Sequence, residues 1–314
     1  MFVAWIFALV LGWVAAVTPA QEPKATEFGE VDHSEWDAIL REVVRDERVD
    51  YLAVRTAHWK ALESYLDRMA KIDVSDLDEK ERLAFYINLY NATMVHTIAK
   101  RWEPGYSVSE KDFGVFKEPL VRLKTGKITL DHLEHEILRP KFQDARIHVA
   151  IVCGARSCPP LIPRAYSPVD LSEVLEANFR RFLHDSFRNE VDEKKGVLRL
   201  SKIFEWFADD FGGAEELPHY LAHYHPGITD EQKITFKEYD WSLNIAEPKE
   251  GRFVVLTQAA SVFGAPSGGD DLGQASSKEV VEVIGEEGDR LHVRRPLGRG
   301  EGWIPKSATK AYER

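Results

Sequence analysis

The sequence predicts an α+β protein, a helix-rich large domain with a small central sheet followed by a small all-β module. Three observations predict it. Between Ser34 and Phe211 the apolar residues recur mainly at helical spacing, while β-branched runs are short, at 146–153 and 197–200. From Gly251 onward the pattern changes to short alternating strands between Gly, Ser and Asp turns. The 314 residues, 44% apolar and 30% charged, are enough for one large or two ordinary globular domains.

Residues 1–20 carry no charged side chain, and the first charge is Glu22. An apolar run from Phe2 to Val17 followed by small residues reads as a secretory signal ending at Ala16 or Ala20, with an uncleaved anchor as the alternative. The chain is therefore expected in the periplasm or outside the cell, with 21–33 as a linker. No multi-span membrane insertion is expected.

The elements then follow in order. Ser34 caps a helix with Trp36, Ile39, Leu40, Val43 and Val44 on one face. A second stripe runs through Leu52, Trp59, Leu62, Leu66 and Met69, and Asp78 opens a third helix in which Tyr86, Asn88, Tyr90 and Asn91 interrupt the apolar positions. Thr129 starts a short helix that Pro140 should end. Residues 146–153 suit a buried strand broken by Gly154. Ser167-Pro168 should start an amphipathic helix; a strand at 197–200 leads to Ser201, the cap of a helix stopped by Gly212.

The net charge is −11, which excludes a general nucleic-acid binder. From Gly251 on, nine basic residues balance nine acidic ones, so the excess belongs to 22–250. An anionic ligand there would need a local basic pocket such as Arg139, Arg146 and Arg156.

Cys153 ends the 146–153 run at a glycine turn, where reactive side chains are commonly displayed, and a thiolate there could attack a carbonyl. His148 is five residues earlier. On a strand, odd spacing points the two to opposite faces, so His148 would pair with Cys158, or Cys153 with His96, unless the turn re-aims one of them. A Cys153–Cys158 disulfide closing Gly154 to Ser157 is the competing reading. Asn91, sharing a helix face with Asn88, either orients an imidazole or substrate amide or ties the helix to its neighbour. Glu134 falls on the apolar side of its helix, where burial would raise its pKa unless Arg139, Arg146 or Arg156 neutralises it; a structural pair is the favoured reading. His219 and His223 stand at i, i+4, but no zinc-protease pattern or cysteine pair accompanies them, and neither metal nor other cofactor is expected. Trp206, Phe207 and Trp241 read as core.

Four blocks carry a resemblance: 84–92 (AFYINLYNA), 137–140 (ILRP), 146–161 with Cys-Gly-Ala-Arg-Ser-Cys-Pro at its centre, and 239–244 (YDWSLN). Over roughly 35–244 they resemble the family called domain of unknown function 547, which implies a fold but no substrate or catalytic assignment. Residues 251–310, with Val281-Glu282-Val283-Ile284-Gly285 and Gly302-Trp303-Ile304-Pro305, resemble a bacterial SH3-like barrel, which implies a cell-wall or peptide ligand. The domains are thus expected at 34–247 and 251–314. Two functions follow. In one, an envelope hydrolase or transferase attacks an amide or ester with Cys153, assisted by His148 or His96, Asn91 and Glu134, with Arg156, Asn88 and Arg139 binding substrate. In the other, a non-catalytic scaffold holds a Cys153–Cys158 bridge.

Overall fold

Four helices come first: α1 (Ser34–Val43), α2 (Tyr51–Thr56), α3 (Trp59–Met69) and α4 (Glu79–Arg101). Asp78 caps α4, its carboxylate accepting from the Glu81 N–H. Sixteen of the 23 residues of α4 are buried, so the helix is surrounded on all sides and forms the centre of the larger part of the protein. The computed structural model describes residues 28–192, 194–248 and 251–312; the segment read as a signal lies outside them.

The expected small central sheet is replaced by this helix. Residues 145–149 form a 3-10 helix and the chain then turns, although the run is as buried as a strand would be. The reason is that side-chain amides take the place of a strand neighbour. Asn91 donates to the Ala150 carbonyl (2.8 Å) and accepts from the Val152 N–H (2.9 Å), while Asn178 donates to the Val149 carbonyl. The strands β1 (Val44–Arg45) and β2 (Arg48–Val49), and β3 (Val121–Leu123) and β4 (Gly126–Ile128), make two small hairpins.

Between them lies α5 (Glu110–Lys117), whose Lys111, Asp112 and Phe113 have left-handed backbone. Next come α6 (Leu130–His132), a π-helical turn over Leu133–Leu138 and α7 (Arg139–Phe142). Thr129 caps this stretch as expected, accepting from the His132 N–H. Pro140, expected to end it, lies inside α7. The wider π turn, in which the Arg139 N–H reaches back to the Glu134 carbonyl, tolerates a residue without an N–H; the stretch ends at left-handed Gln143.

Helix α8 (Leu171–Leu183) starts later than Ser167-Pro168, because the Ser167 hydroxyl accepts from the Val169 N–H and forms a turn first. A three-stranded sheet of β5 (Glu190–Asp192), β6 (Val197–Leu200) and β7 (Lys233–Phe236) lies to one side, with β6 and β7 parallel. Helices α9 (Ile203–Trp206) and α10 (Leu217–Ala222) separate β6 from β7. A 3-10 turn over Ala208–Phe211 between these helices ends at left-handed Gly212.

The carboxy-terminal residues form an antiparallel sheet of β8 (Arg252–Leu256), β9 (Ala260–Ala265), β10 (Gly268–Ala275), β11 (Val280–Glu287), β12 (Arg290–Arg294), β13 (Glu301–Pro305) and β14 (Thr309–Ala311). Its order is β10-β9-β13-β12-β11-β8-β14. No pairing joins β10 to β14 among the described residues, so a sheet is present without a closed barrel. Val254, Val262, Val281, Leu291, Val293 and Ile304 fill its core. The sheet meets the helices where the Leu297 N–H donates to the Arg55 carbonyl (2.7 Å) and Trp102 packs edge-on against Tyr312. The protein is therefore α+β, and among the described residues no helix is long and apolar enough to cross a membrane.

Candidate functional site

Two of the sequence blocks lie side by side. The Arg156 N–H donates to the Ser242 carbonyl (2.7 Å), the Asn244 N–H to the Gly154 carbonyl (2.9 Å) and the Ser157 N–H to the Asp240 carbonyl (3.2 Å). The Asp240 N–H in turn reaches the Ser157 hydroxyl at 2.9 Å. This zipper delivers Tyr239 to Cys153, whose Sγ lies 3.5 Å from the phenol oxygen.

Gly154 is the pivot. Its φ of +82° is costly for other residues, and a Cβ there would fall 2.3 Å from Ile98 Cδ1. The glycine lets the chain reverse tightly against α4. Both cysteines are free: Cys158 is buried, Cys153 is half-buried, and the Cys153 N–H points at Cys158 Sγ across 2.9 Å. The Cys158 hydrogen bond holds the Cys153 thiol below its ordinary pKa, against burial, with help from Tyr239 and a backbone N–H. Burial pushes Cys158 well above its ordinary value.

Both thiols face a cavity of about 420 Å³ whose wall also contains Glu134, His148, Tyr90 and Tyr239. Its rim is aromatic. Trp206, 47% exposed, stacks on Trp241 at 5.8 Å, Tyr239 packs against both, and Phe113 meets Trp241 edge-on at 4.6 Å. Trp206 and Trp241 were expected in the core; Trp206 is instead exposed and Trp241 half-buried. Aromatic rings on a concave wall suit a flat or apolar ligand.

Glu134 lies on the π turn, which rotates it toward the cavity. Desolvation raises its pKa to about 7, opposed by a hydrogen bond from the Tyr90 hydroxyl (3.3 Å) and by the Arg139 charge. The favoured expectation of an arginine pair is not met. Arg139 instead donates twice to Asp210, at 2.6 and 3.0 Å, and Asp210 accepts from His148 Nε2 at 2.6 Å. These contacts, His148 foremost, hold the Asp210 carboxyl well below the usual carboxylate range. An ionised Asp210 accepts only, so His148 carries its proton on Nε2 and turns bare Nδ1 toward Glu134 Oε1, 4.0 Å away. Burial lowers the His148 pKa, partly offset by Asp210, and the ring stacks on Phe207 at 3.9 Å.

The cavity thus unites Cys153, Cys158, His148 and Glu134. Other expected members lie elsewhere. Asn91 is fully engaged with backbone and orients no imidazole; Asn88 is likewise closed on the Tyr166 peptide, at 2.8 and 2.9 Å. His96 stacks on Trp59 at 4.3 Å, its pKa pushed down to about 4 by burial, away from Cys153. Arg156 lies over Phe187 and does not line the Cys153 cavity. Arg139 does not line the cavity but holds Asp210, reaches His135 at 3.0 Å and lies over the Phe207 ring. Because 146–153 is not a strand, the odd-spacing argument does not apply, and His148 pairs with neither cysteine but with Asp210. Sequence reasoning missed Asp210, Tyr90 and Tyr239. Asp210 carried a faint signal, one of two adjacent acids, Asp209 and Asp210, set between Phe207 and Phe211.

Residues 74–183 match the family model described as protein of unknown function, DUF547. The matched stretch holds Tyr90, Glu134, His148, Cys153 and Cys158; Asp210 and Tyr239 lie beyond it. No curated protein and no solved structure matches the chain.

Proposed function

We propose that the protein is a thiol-dependent hydrolase or transferase acting on an amide or ester. The observation that carries this reading is Cys153 on the wall of the same cavity as Glu134, a buried carboxyl whose pKa desolvation raises to about 7, while hydrogen bonds lower that of the thiol. The Cys153 thiolate, its proton already released to solvent, attacks the carbonyl carbon, forming a C–S bond. The C–N or C–O bond breaks, and the leaving group takes the Glu134 proton. Water, or a second acceptor nucleophile, then releases the acyl group, giving its own proton back to Glu134. His148, fixed by Asp210, is a positioning residue whose bare nitrogen faces the carboxyl. The aromatic rim favours a substrate with an apolar or planar acyl part, and the acidic surroundings favour one without negative charge.

The test is p-nitrophenyl acetate with the reduced protein. A burst of nitrophenol stoichiometric with protein and lost in Cys153→Ser is expected; Cys158→Ser, which alters the hydrogen bond that lowers the Cys153 pKa, should keep the amplitude at a slower rate. Steady release with no burst, unchanged in Cys153→Ser, would remove the nucleophile. We also infer that residues 251–314 form an SH3-like module for a peptide or cell-wall ligand. The seven-stranded antiparallel sheet supports it, and titration of stem peptides against the protein tests it. Export through the 1–20 segment belongs to the same reading.

A further inference from the structure

The two cysteines differ in a way that hydrolysis does not need. Cys153 reaches the cavity half-buried, whereas Cys158, on the same wall, is only 4% exposed, and the intervening loop is a tight turn in which the Cys158 N–H returns to the Ala155 carbonyl (3.1 Å). The Cys153 N–H points at the Cys158 sulfur across 2.9 Å, which sets the two cysteines side by side. A more exposed thiol beside a nearly buried one is the geometry of an attacking and a resolving pair.

We propose that Cys153 and Cys158 form a reactive dithiol that reduces disulfides carrying a neutral planar or apolar group, an activity additional to the acyl chemistry that uses Cys153 and the same cavity. The Cys153 thiolate attacks one sulfur of R–S–S–R. A Cys153–S–S–R bond forms, the substrate S–S bond breaks and RS⁻ leaves, taking a proton from solvent. Cys158 gives its proton to water or to the Glu134 carboxylate and attacks the Cys153 sulfur. The second RS⁻ leaves, and a Cys153–Cys158 bridge remains. The substrate has gained two electrons, the protein has lost them, and an external dithiol restores both thiols. The loop geometry makes the second step intramolecular. The thiol environments support the order of attack, since Cys153 is lowered and Cys158 raised. The aromatic rim formed by Phe113, Trp206, Phe207 and Trp241 accepts the planar group, and Asp131 with Glu134 disfavours an anionic one.

The experiment uses the reduced full chain and neutral 4,4′-dithiodipyridine, following thiopyridone release and intact mass. Two thiopyridones per chain are expected, the second at a rate independent of probe concentration, leaving a protein lighter by two hydrogens and without adduct. Cys158→Ser should release one and keep a stable pyridyl adduct at Cys153; Cys153→Ser should slow the first release about tenfold or more. Wild-type protein that keeps one or two adducts and forms no bridge overturns the proposal, and this measurement needs no variant. An acyl burst without a bridge sinks only the disulfide chemistry, and a bridge without a burst sinks only the hydrolase reading.

Discussion

His148 and Asp210, 62 residues apart, meet across 2.6 Å, and the contact joins the 3-10 turn before the cysteine loop to the one after α9. Arg139 closes the same carboxylate from α7. Three segments that supply the cavity wall are thereby fixed to one acid.

Replacing Asp210 with Asn should therefore loosen the site and change its acid response. The folded carboxyl is lowered, so it adds stability above the unfolded value of about 3.9 and loses it as pH falls below that value. The pair is partly exposed, which limits the effect to about 2–4 °C in melting temperature near pH 7. Thermal melts from pH 7 to pH 2 should show the gap between wild type and Asp210→Asn closing below pH 4. A gap that widens on acidification would contradict the assignment.

Glu134 has the opposite sign. Its folded pKa is raised to about 7, so its ionisation destabilises the native state, and stability is lost as pH rises from about 4.5 through 7. Glu134→Gln removes this loss. The variant should match wild type near pH 4 and exceed it above pH 8 by at most about 3 kcal/mol, while losing the acyl burst turnover. Urea denaturation at the two pH values checks the first part. A variant less stable than wild type at pH 8 would mean that Glu134 is held ionised by a partner.

Asn91→Ala separates structure from chemistry at a residue read either as orienting an imidazole or substrate amide or as tying its helix to a neighbour. Both groups of its amide are bonded to buried backbone, so the truncation strands the Ala150 carbonyl and the Val152 N–H. The expected loss is about 2–4 kcal/mol, read by urea denaturation. At temperatures where the variant remains folded, Cys153 should still alkylate at a rate within about threefold of wild type. A large rate loss without a stability loss would return Asn91 to the site.

Much of the fold was legible where local signals and tertiary demands agree. Asp78, Thr129, Gly212 and the strand at 197–200 were readable because a cap, a left-handed glycine or a β-branched run acts through its neighbours alone. The run at 146–153 was misread because burial and β-propensity describe a side chain's surroundings, not the partner of its backbone; only the fold reveals that Asn91 and Asn178 supply that partner. Pro140 misled for a similar reason, since a π turn leaves no mark in spacing. At the site, Cys153, Glu134 and His148 were readable as residue types out of place. Tyr239 and Asp210 were not, because they arrive from 86 and 62 residues away.

Gly154→Ala probes the pivot that sets Cys153 against the cavity. Two penalties act together: left-handed backbone costs an alanine about 1 kcal/mol, and the new methyl meets Ile98 Cδ1 at 2.3 Å in a packed core. The combined loss should be about 2–4 kcal/mol. Ile98→Ala alone should also destabilise, because it opens a cavity beside α4, by about 2–5 kcal/mol. The double variant discriminates between the two penalties. If the clash dominates, the alanine methyl fills part of the space Ile98 vacates, and the double variant is more stable than the sum of the single losses by 1 kcal/mol or more, about the size expected for contacting residues. If backbone strain dominates, the losses add, and the cysteine loop shifts whether or not room is made. Alkylation of Cys153 reads the same distinction from the site, since rescue of packing should restore the wild-type rate only in the first case. A Gly154→Ala protein with unchanged stability and unchanged Cys153 reactivity would show that the turn does not position the thiol.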